Sequence, residues 1–222
     1  MSINVILAES RPLIALAIKS IIGHCSEVSL VATIRSGEDF SGLEATEECH
    51  VVVTDREALS GKPGDPINPL IKLILSQYPD IGVVLYTDIH NAAYIATLCQ
   101  LGVHAVLDHD DILECLPAAI VAAYYKANYL SPSLVDAASA GTHSMRDVKP
   151  LSRCEIKVMK SVVAGLSVKQ ISLALCRSKQ TISSHKSNAM RKLQVKSDAE
   201  LYRIFSEQDF ALIETTCSPS RN

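Results

Sequence analysis

Along the first 130 residues, short uninterrupted apolar runs alternate with longer stretches whose apolar residues recur every three or four positions. Runs at 4–8, 28–33, 50–55, 81–87 and 103–107 predict strands, and their continuous apolarity is what strands covered on both faces require. The intervening stretches at 12–23, 37–45, 69–78, 92–102 and 112–128 predict helices. Strict β-then-α alternation gives an α/β, flavodoxin-like (βα)5 plan with a parallel sheet between helical layers. Ligands of such sheets sit at the carboxyl ends of the strands, which directs attention to Glu9, Ser10, Asp55, Thr87, Asp108 and His109.

The pattern changes after residue 130. Residues 131–150 are mostly small and polar and end in Pro150, which predicts a tether with one short helix at its start. Beyond it, Ser152 with Glu155, Ser167 with Gln170 and Ser197 with Glu200 have capping-box spacing, and Ser178 opens a further helix without a box. Helices are predicted at 152–164, 168–175, 179–193 and 198–206. Ile156, Met159, Val162, Val163, Ile171, Leu173, Leu175, Ile182, Ala189, Met190 and Leu193 supply apolar faces for an all-α core. The tight Cys176-Arg177-Ser178 connection predicts a helix-turn-helix. The expected organisation is a regulatory domain at 1–130, a linker at 131–150, a helical domain at 151–210 and a tail at 211–222.

Charge separates the same two parts. Residues 146–203 hold thirteen Lys or Arg against four acids, a balance of +9, whereas residues 1–145 hold seven against seventeen, a balance of −10. The net charge of −3 conceals this opposition. A compact basic domain beside an acidic one is the electrostatic footprint of a nucleic-acid binder with a separate control module. No apolar run approaches the ~20 residues of a membrane span, and the N-terminal run lacks a basic start or small-residue cleavage site, so a soluble chain without a signal peptide is expected. Seven cysteines stand singly, with neither Cys-x-x-Cys nor metal-ligand spacing, and read as reduced thiols in a cytoplasmic protein. Ala8-Glu-Ser-Arg-Pro follows the first strand where a phosphate-binding enzyme would carry a Gly-rich loop, and no nucleophile and base pair is visible.

The acidic half resembles the receiver domains of bacterial two-component response regulators. The resemblance places Asp55 at the phosphoacceptor position and Thr87 at the switch Ser/Thr position. It also exposes departures: the adjacent acids that hold Mg²⁺ are represented by Glu9 and Ser10, the phosphoryl-reading lysine by His109, and the Met-Pro-Gly turn by Ala58-Leu59-Ser60. A hard divalent ion needs carboxylate oxygens, so no cofactor beyond weak Mg²⁺ at Glu9 and Asp55 is expected. The receiver is accordingly expected to work largely independently of phosphorylation, the ordinary phosphorylation-switched regulator using Asp55 being the alternative.

The basic half resembles the LuxR-type helix-turn-helix of the NarL/FixJ family, matching it at Leu151, Glu155, Gly165, Ser167, Lys169, Ile171, Thr181, Ile182, His185, Asn188, Lys192, Leu193 and Val195. Cys154 stands where an arginine is usual. The Thr181 to Ser187 run and the Ser-Asp after Lys196 look most like the RcsB branch. The resemblance implies a transcription regulator whose third helix enters the major groove, with Ser183, Ser184 and Ser187 facing the bases and Lys169, Lys179, Thr181, Lys186 and Lys192 on phosphates. It also implies a homodimer through Leu201, Ile204 and Phe205 of the last helix, a heterodimer with an RcsB-like regulator as the alternative, RNA polymerase as a further partner, and no membrane partner.

Overall fold

The structure, a computed structural model, describes residues 2–35, 40, 48–55, 69–140 and 149–206. The predicted helix at 37–45, apart from Phe40, and the tail at 211–222 lie outside them. The chain divides between Pro150 and Leu151 into two compact units.

In the first unit, β1 (Ile3–Ala8), α1 (Pro12–Gly23), β2 (Val28–Ile34), β3 (Val51–Asp55), α2 (Pro69–Gln77), β4 (Gly82–Thr87), α3 (Ala92–Gln100), β5 (Ala105–Asp108), α4 (Ile112–Tyr124), β6 (Tyr129–Leu130) and α5 (Pro132–Ala140) follow in turn. The sheet has order β2-β1-β3-β4-β5-β6, with every pair parallel. Val5, Leu7, Val51, Val53, Val84, Ala105 and Leu107 bury one face against Ala15, Ile18 and Ile22 of α1 and Leu116, Ala119 and Ile120 of α4. The alternating residues Ile6, Val52, Leu85 and Val106 are also buried, as continuous apolar runs demand. Gly82 opens β4 because a Cβ there would lie 2.5 Å from the Ala123 carbonyl oxygen.

Two expectations about the end of this unit are corrected. The helix predicted to reach residue 128 stops at Tyr124: Ala127 N–H donates to Ala122 O (2.9 Å) and Lys126 N–H to Ala123 O (3.1 Å), with Lys126 left-handed at φ 58°. This Schellman closure turns the chain into the two-residue strand β6, too short to carry a periodic signal. The expected tether therefore begins as part of the first unit. Ser131 is fully buried and its Oγ accepts from Asp108 N–H at 2.9 Å, while Leu134 of the expected short helix is fully buried.

The second unit contains α6 (Arg153–Val163), α7 (Val168–Ala174), α8 (Lys179–Lys192) and α9 (Asp198–Ser206), within a residue or two of expectation. Both hydrogen bonds of the capping box form at Ser152/Glu155 and at Ser167/Gln170. At the third predicted box, Glu200 N–H donates to Ser197 Oγ, but the Glu200 carboxylate reaches the Lys196 N–H instead. The first three helices end in Schellman closures on left-handed Gly165, Cys176 and Gln194. Most predicted apolar positions are buried, and Val158 joins them at 1% exposure. Leu173 does not: it is 71% exposed, on the solvent side of α7, and Leu175 and Met190 are only half-buried. Among the described residues no helix is long and apolar enough to cross a membrane.

Candidate functional site

The parallel register brings the carboxyl ends of β1, β3, β4 and β5 together, with Asp55 opposite Tyr86 and Thr87 opposite Asp108. Glu9 follows β1 and Asp55 ends β3, so the two carboxylates flank the point where strand order reverses, the usual ligand crevice of such sheets. Both are almost fully buried, at 1% and 2% exposure. Buried carboxylates need donors and counter-charge, and the chain supplies them from a residue the sequence reading passed over. Arg11, in the turn entering α1, donates its backbone N–H (2.6 Å) and Nε–H (3.1 Å) to Glu9 Oε1 and an Nη2–H (3.1 Å) to Glu9 Oε2. The same Nη2 donates to Asp55 Oδ2. The Tyr86 hydroxyl, from β4 on the far side of β3, donates to Glu9 Oε2.

These contacts perturb both donors. Burial alone would lower the Arg11 pKa, but the Glu9 hydrogen bond and the charges of Asp55 and Glu9 raise it above its ordinary value. Burial, followed by the Glu9 contact and the two negative charges, raises Tyr86 and keeps it a neutral donor. The His109 Nε2 is 3.6 Å from Asp55 Oδ1, an ion-pair distance, and this ring nitrogen is buried with no hydrogen-bond partner among the described residues. Asp55 raises the His109 pKa against the opposing effects of burial and Arg11.

The remaining predicted pocket residues divide. Thr87 is fully buried and its Oγ accepts from Ile89 N–H at 3.1 Å. Ser10 is exposed, outside the carboxylate cluster. Asp108 belongs to a separate network, bonded to His90 and, through Oδ1, to Asp110 N–H at 2.8 Å. The donor set does not fit a hard divalent ion: both Glu9 oxygens and Asp55 Oδ2 accept from Arg11 or Tyr86, and the second acid is replaced by exposed Ser10. Among the described residues no group of three or more metal-binding side chains converges.

In the second unit, α7 and α8 are joined by a four-residue turn in which Cys176 is left-handed at φ 50°. Ile182 and Ala189 anchor α8 in the core. Its outward stripe comprises Gln180, Ser183, Ser184, Ser187 and Arg191, all exposed and spaced by three and four residues. The three predicted groove serines are thus together, with Gln180 and Arg191 continuing their row; helical spacing alone could have found both. Lys169 and Lys179 are exposed, as is Arg177 in the turn, whereas Thr181 is half-buried and its Oγ1 meets Ser178 Oγ at 2.8 Å.

Three of the predicted residues are engaged inside this unit. Lys192 Nζ donates to Glu155 Oε2 at 2.7 Å, the carboxylate that also closes the first capping box. Lys186 Nζ donates to Asp198 Oδ2 at 2.7 Å. Both lysines are therefore engaged as internal partners. Leu201, expected on a dimer surface, is fully buried. The side chains of Ile204 and Phe205 lie outside the described residues.

Comparison with known proteins follows this geometry. Residues 149–205 match the model of the luxR family of bacterial regulatory proteins. The chain is 28% identical over 209 residues to the transcriptional regulatory protein RcsB of Escherichia coli K12, spanning 92% of this chain and 94% of that protein. It is 29% identical over 189 residues to UhpA, another transcriptional regulatory protein of that strain, spanning 77% and 91%. A structure of two RcsB dimers bound to two parallel DNAs aligns with TM-score 0.65 and 25% identity over 93% of this chain and 98% of that one. RcsB from Salmonella enterica serovar Typhimurium, bound to promoter rprA in the presence of the phosphomimetic BeF3−, aligns with TM-score 0.64 and 27% identity over 93% and 99%.

Proposed function

We propose that this chain, a NarL/FixJ-type response regulator whose second unit is a LuxR-type DNA-binding domain, is a sequence-specific transcription regulator that binds duplex DNA as a dimer and whose receiver works without a phosphorylation switch. For DNA binding, the carrying observation is the exposed stripe Gln180, Ser183, Ser184, Ser187 and Arg191 on one face of the second helix of the helix-turn-helix. Hydroxyls, an amide and a guanidinium on one face are the groups that read base edges in the major groove. Lys169, Arg177 and Lys179 beside them supply phosphate contacts, which orient the helix without reading sequence. A solved structure of RcsB dimers bound to DNA and one of RcsB bound to a promoter support the same reading.

Dimerisation has a candidate surface in the first unit. Leu13 and Leu16 of α1 and Leu113 of α4 are 82%, 65% and 71% exposed, and the two helices pack together with their N-termini at the same end of the sheet. A second copy of the chain is the occupant assigned to it.

The phosphorylation-independent receiver is supported by the occupied carboxylate cluster. Aspartyl phosphorylation brings a dianionic donor to a carboxylate, and a divalent cation ordinarily neutralises the approach. Here Arg11 is bonded between Glu9 and Asp55, and His109 stands in place of the lysine that would read the product. A modification shifts a two-state equilibrium only through its difference in interaction with the two states. The test is DNA affinity of the full chain before and after treatment with acetyl phosphate or beryllofluoride plus Mg²⁺. Unchanged affinity is expected; a rise of more than about tenfold, ~1.4 kcal/mol, overturns this part of the reading.

A further inference from the structure

The Glu9/Asp55 cluster holds two buried carboxylates and, within contact, two nitrogen cations of the chain itself: the fixed charge of Arg11 and, when protonated, that of His109. We infer that Arg11 is a resident counter-ion in place of a divalent metal, and that its side chain keeps a latent divalent-cation site between Glu9 and Asp55 closed. This deepens the phosphorylation-independent reading and takes its regulatory meaning from it.

Three features of the geometry support the assignment. First, the guanidinium is multidentate. Its Nε and Nη2 engage both Glu9 oxygens and its Nη2 also reaches Asp55, so one planar cation bridges carboxylates from two strands as a metal ion would. Second, the contact is preorganised by the backbone. Arg11 N–H donates to the same Glu9 oxygen at 2.6 Å, and Pro12 fixes the chain at the start of α1 immediately after it, so the side chain leaves a turn already tied to Glu9. Third, Tyr86 supplies a neutral donor to Glu9, so among the described residues the positive charge beside the carboxylates comes from Arg11 and, when protonated, His109. A metal entering the cluster must displace a guanidinium that never deprotonates, and must do so with two carboxylates alone, because Ser10 is exposed and carries no charge.

Arg11 thus acts as a positioning residue for Asp55 and as the gate against metal. Removing its side chain should leave two buried like charges that attract a hard cation. Tyr86 then becomes an intrinsic reporter, since its ring lies beside Glu9, the chain contains no tryptophan, and a terbium ion bound there receives excitation from tyrosine.

The experiment uses the full-length chain. Wild type, Arg11→Ser, Arg11→Lys and Arg11→Ser/Asp55→Asn are titrated with terbium while tyrosine-sensitised emission is recorded, and each is melted in EDTA and in 10 mM Mg²⁺. Arg11→Ser is expected to bind terbium at least tenfold more tightly than wild type and to gain melting temperature on adding Mg²⁺. Wild type and Arg11→Lys should gain neither, and the double variant should lose the terbium gain. If Arg11→Ser is too unstable to purify, Arg11→Gln removes the charge while keeping a polar stem and gives the same readouts. Terbium or Mg²⁺ effects equal in wild type and Arg11→Ser, or absent from both, overturn the inference. The two readings can fail separately. If wild type excludes metal while Asp55 substitution alters regulation in cells, the gate stands and the phosphorylation-independent reading falls.

Discussion

Lys192 is tied to Glu155: its Nζ lies 2.7 Å from Oε2 of a carboxylate that is itself buried and closes the capping box of α6. The pair joins the end of α8 to the start of α6, so charge at the end of the recognition helix belongs to the domain's own scaffold. Glu155→Gln should therefore destabilise the second unit by about 2 kcal/mol, the range for hydrogen bonds to charged groups, as measured by urea unfolding. Lys192→Met should weaken DNA binding mainly through folding, with little change in the salt dependence of the folded fraction. A fall of about one in the slope of log affinity against log salt would instead place Lys192 on a phosphate.

The exposed stripe of α8 separates reading from anchoring. Ser183→Ala or Ser187→Ala should change sequence preference, by ~1–3 kcal/mol for a lost base contact, whereas Lys179→Glu should weaken binding to all sequences alike. Binding-site selection from random duplexes with each full-length variant distinguishes the two patterns. Serine variants with unaltered affinity and preference would remove these residues from the groove.

Glu155 and His109 give opposite pH dependences. Glu155 is held below the ordinary carboxylate range: burial opposes this, but Lys192 and the Ser152 N–H outweigh it. Its contribution is present above the unfolded pKa of about 4.3 and is lost as pH falls through the lower folded value. His109 is raised by Asp55, so its contribution is complete below about 6.5 and is lost as pH rises through the folded pKa. Melting curves from pH 8 to pH 6 should show the first unit gaining stability on acidification in wild type and not in His109→Gln. Equal slopes would dissociate His109 from Asp55.

Asp55→Asn should leave gene regulation in cells nearly unchanged, because among the described residues the Asp55 carboxylate faces Arg11 and His109 rather than a lysine. Reporter expression that collapses with Asp55→Asn, while protein level and DNA affinity in vitro hold, would restore the ordinary two-component reading.

Leu13→Glu with Leu16→Glu should shift the full chain toward monomer in sedimentation, since both side chains are exposed and single-residue packing costs are small. An unchanged dimer fraction would move the interface elsewhere.

Much of the fold was legible because its signals are local. Continuous apolar runs required strands covered on both faces, and Ser152 and Ser167 with their partners three residues on marked helix starts that the structure reproduces. The two-residue strand β6 was not legible, being shorter than any period. Leu173 misled because a leucine at helical spacing carries the same signal whether its side faces core or solvent. Leu201 misled in the opposite sense. Expected on a dimer surface, it is buried inside the domain.

The candidate site divided along the same line. Which residue types follow each strand is a property of the chain, so Glu9, Asp55, Thr87 and His109 and the basic second half were legible from order and spacing, whereas the groove serines came from the family resemblance. Which charges meet is decided by parallel register and by turns that bring distant residues within 3 Å. Only the tertiary structure brings Arg11, already beside Glu9, to Asp55, 44 residues further along the sequence, and ties Lys192 to Glu155 across 37. An arginine in a turn and a lysine near a helix end look like solvated charges in the sequence. Burial of their carboxylate partners converts them into internal counter-ions, because a carboxylate removed from water must find its positive charge within the fold.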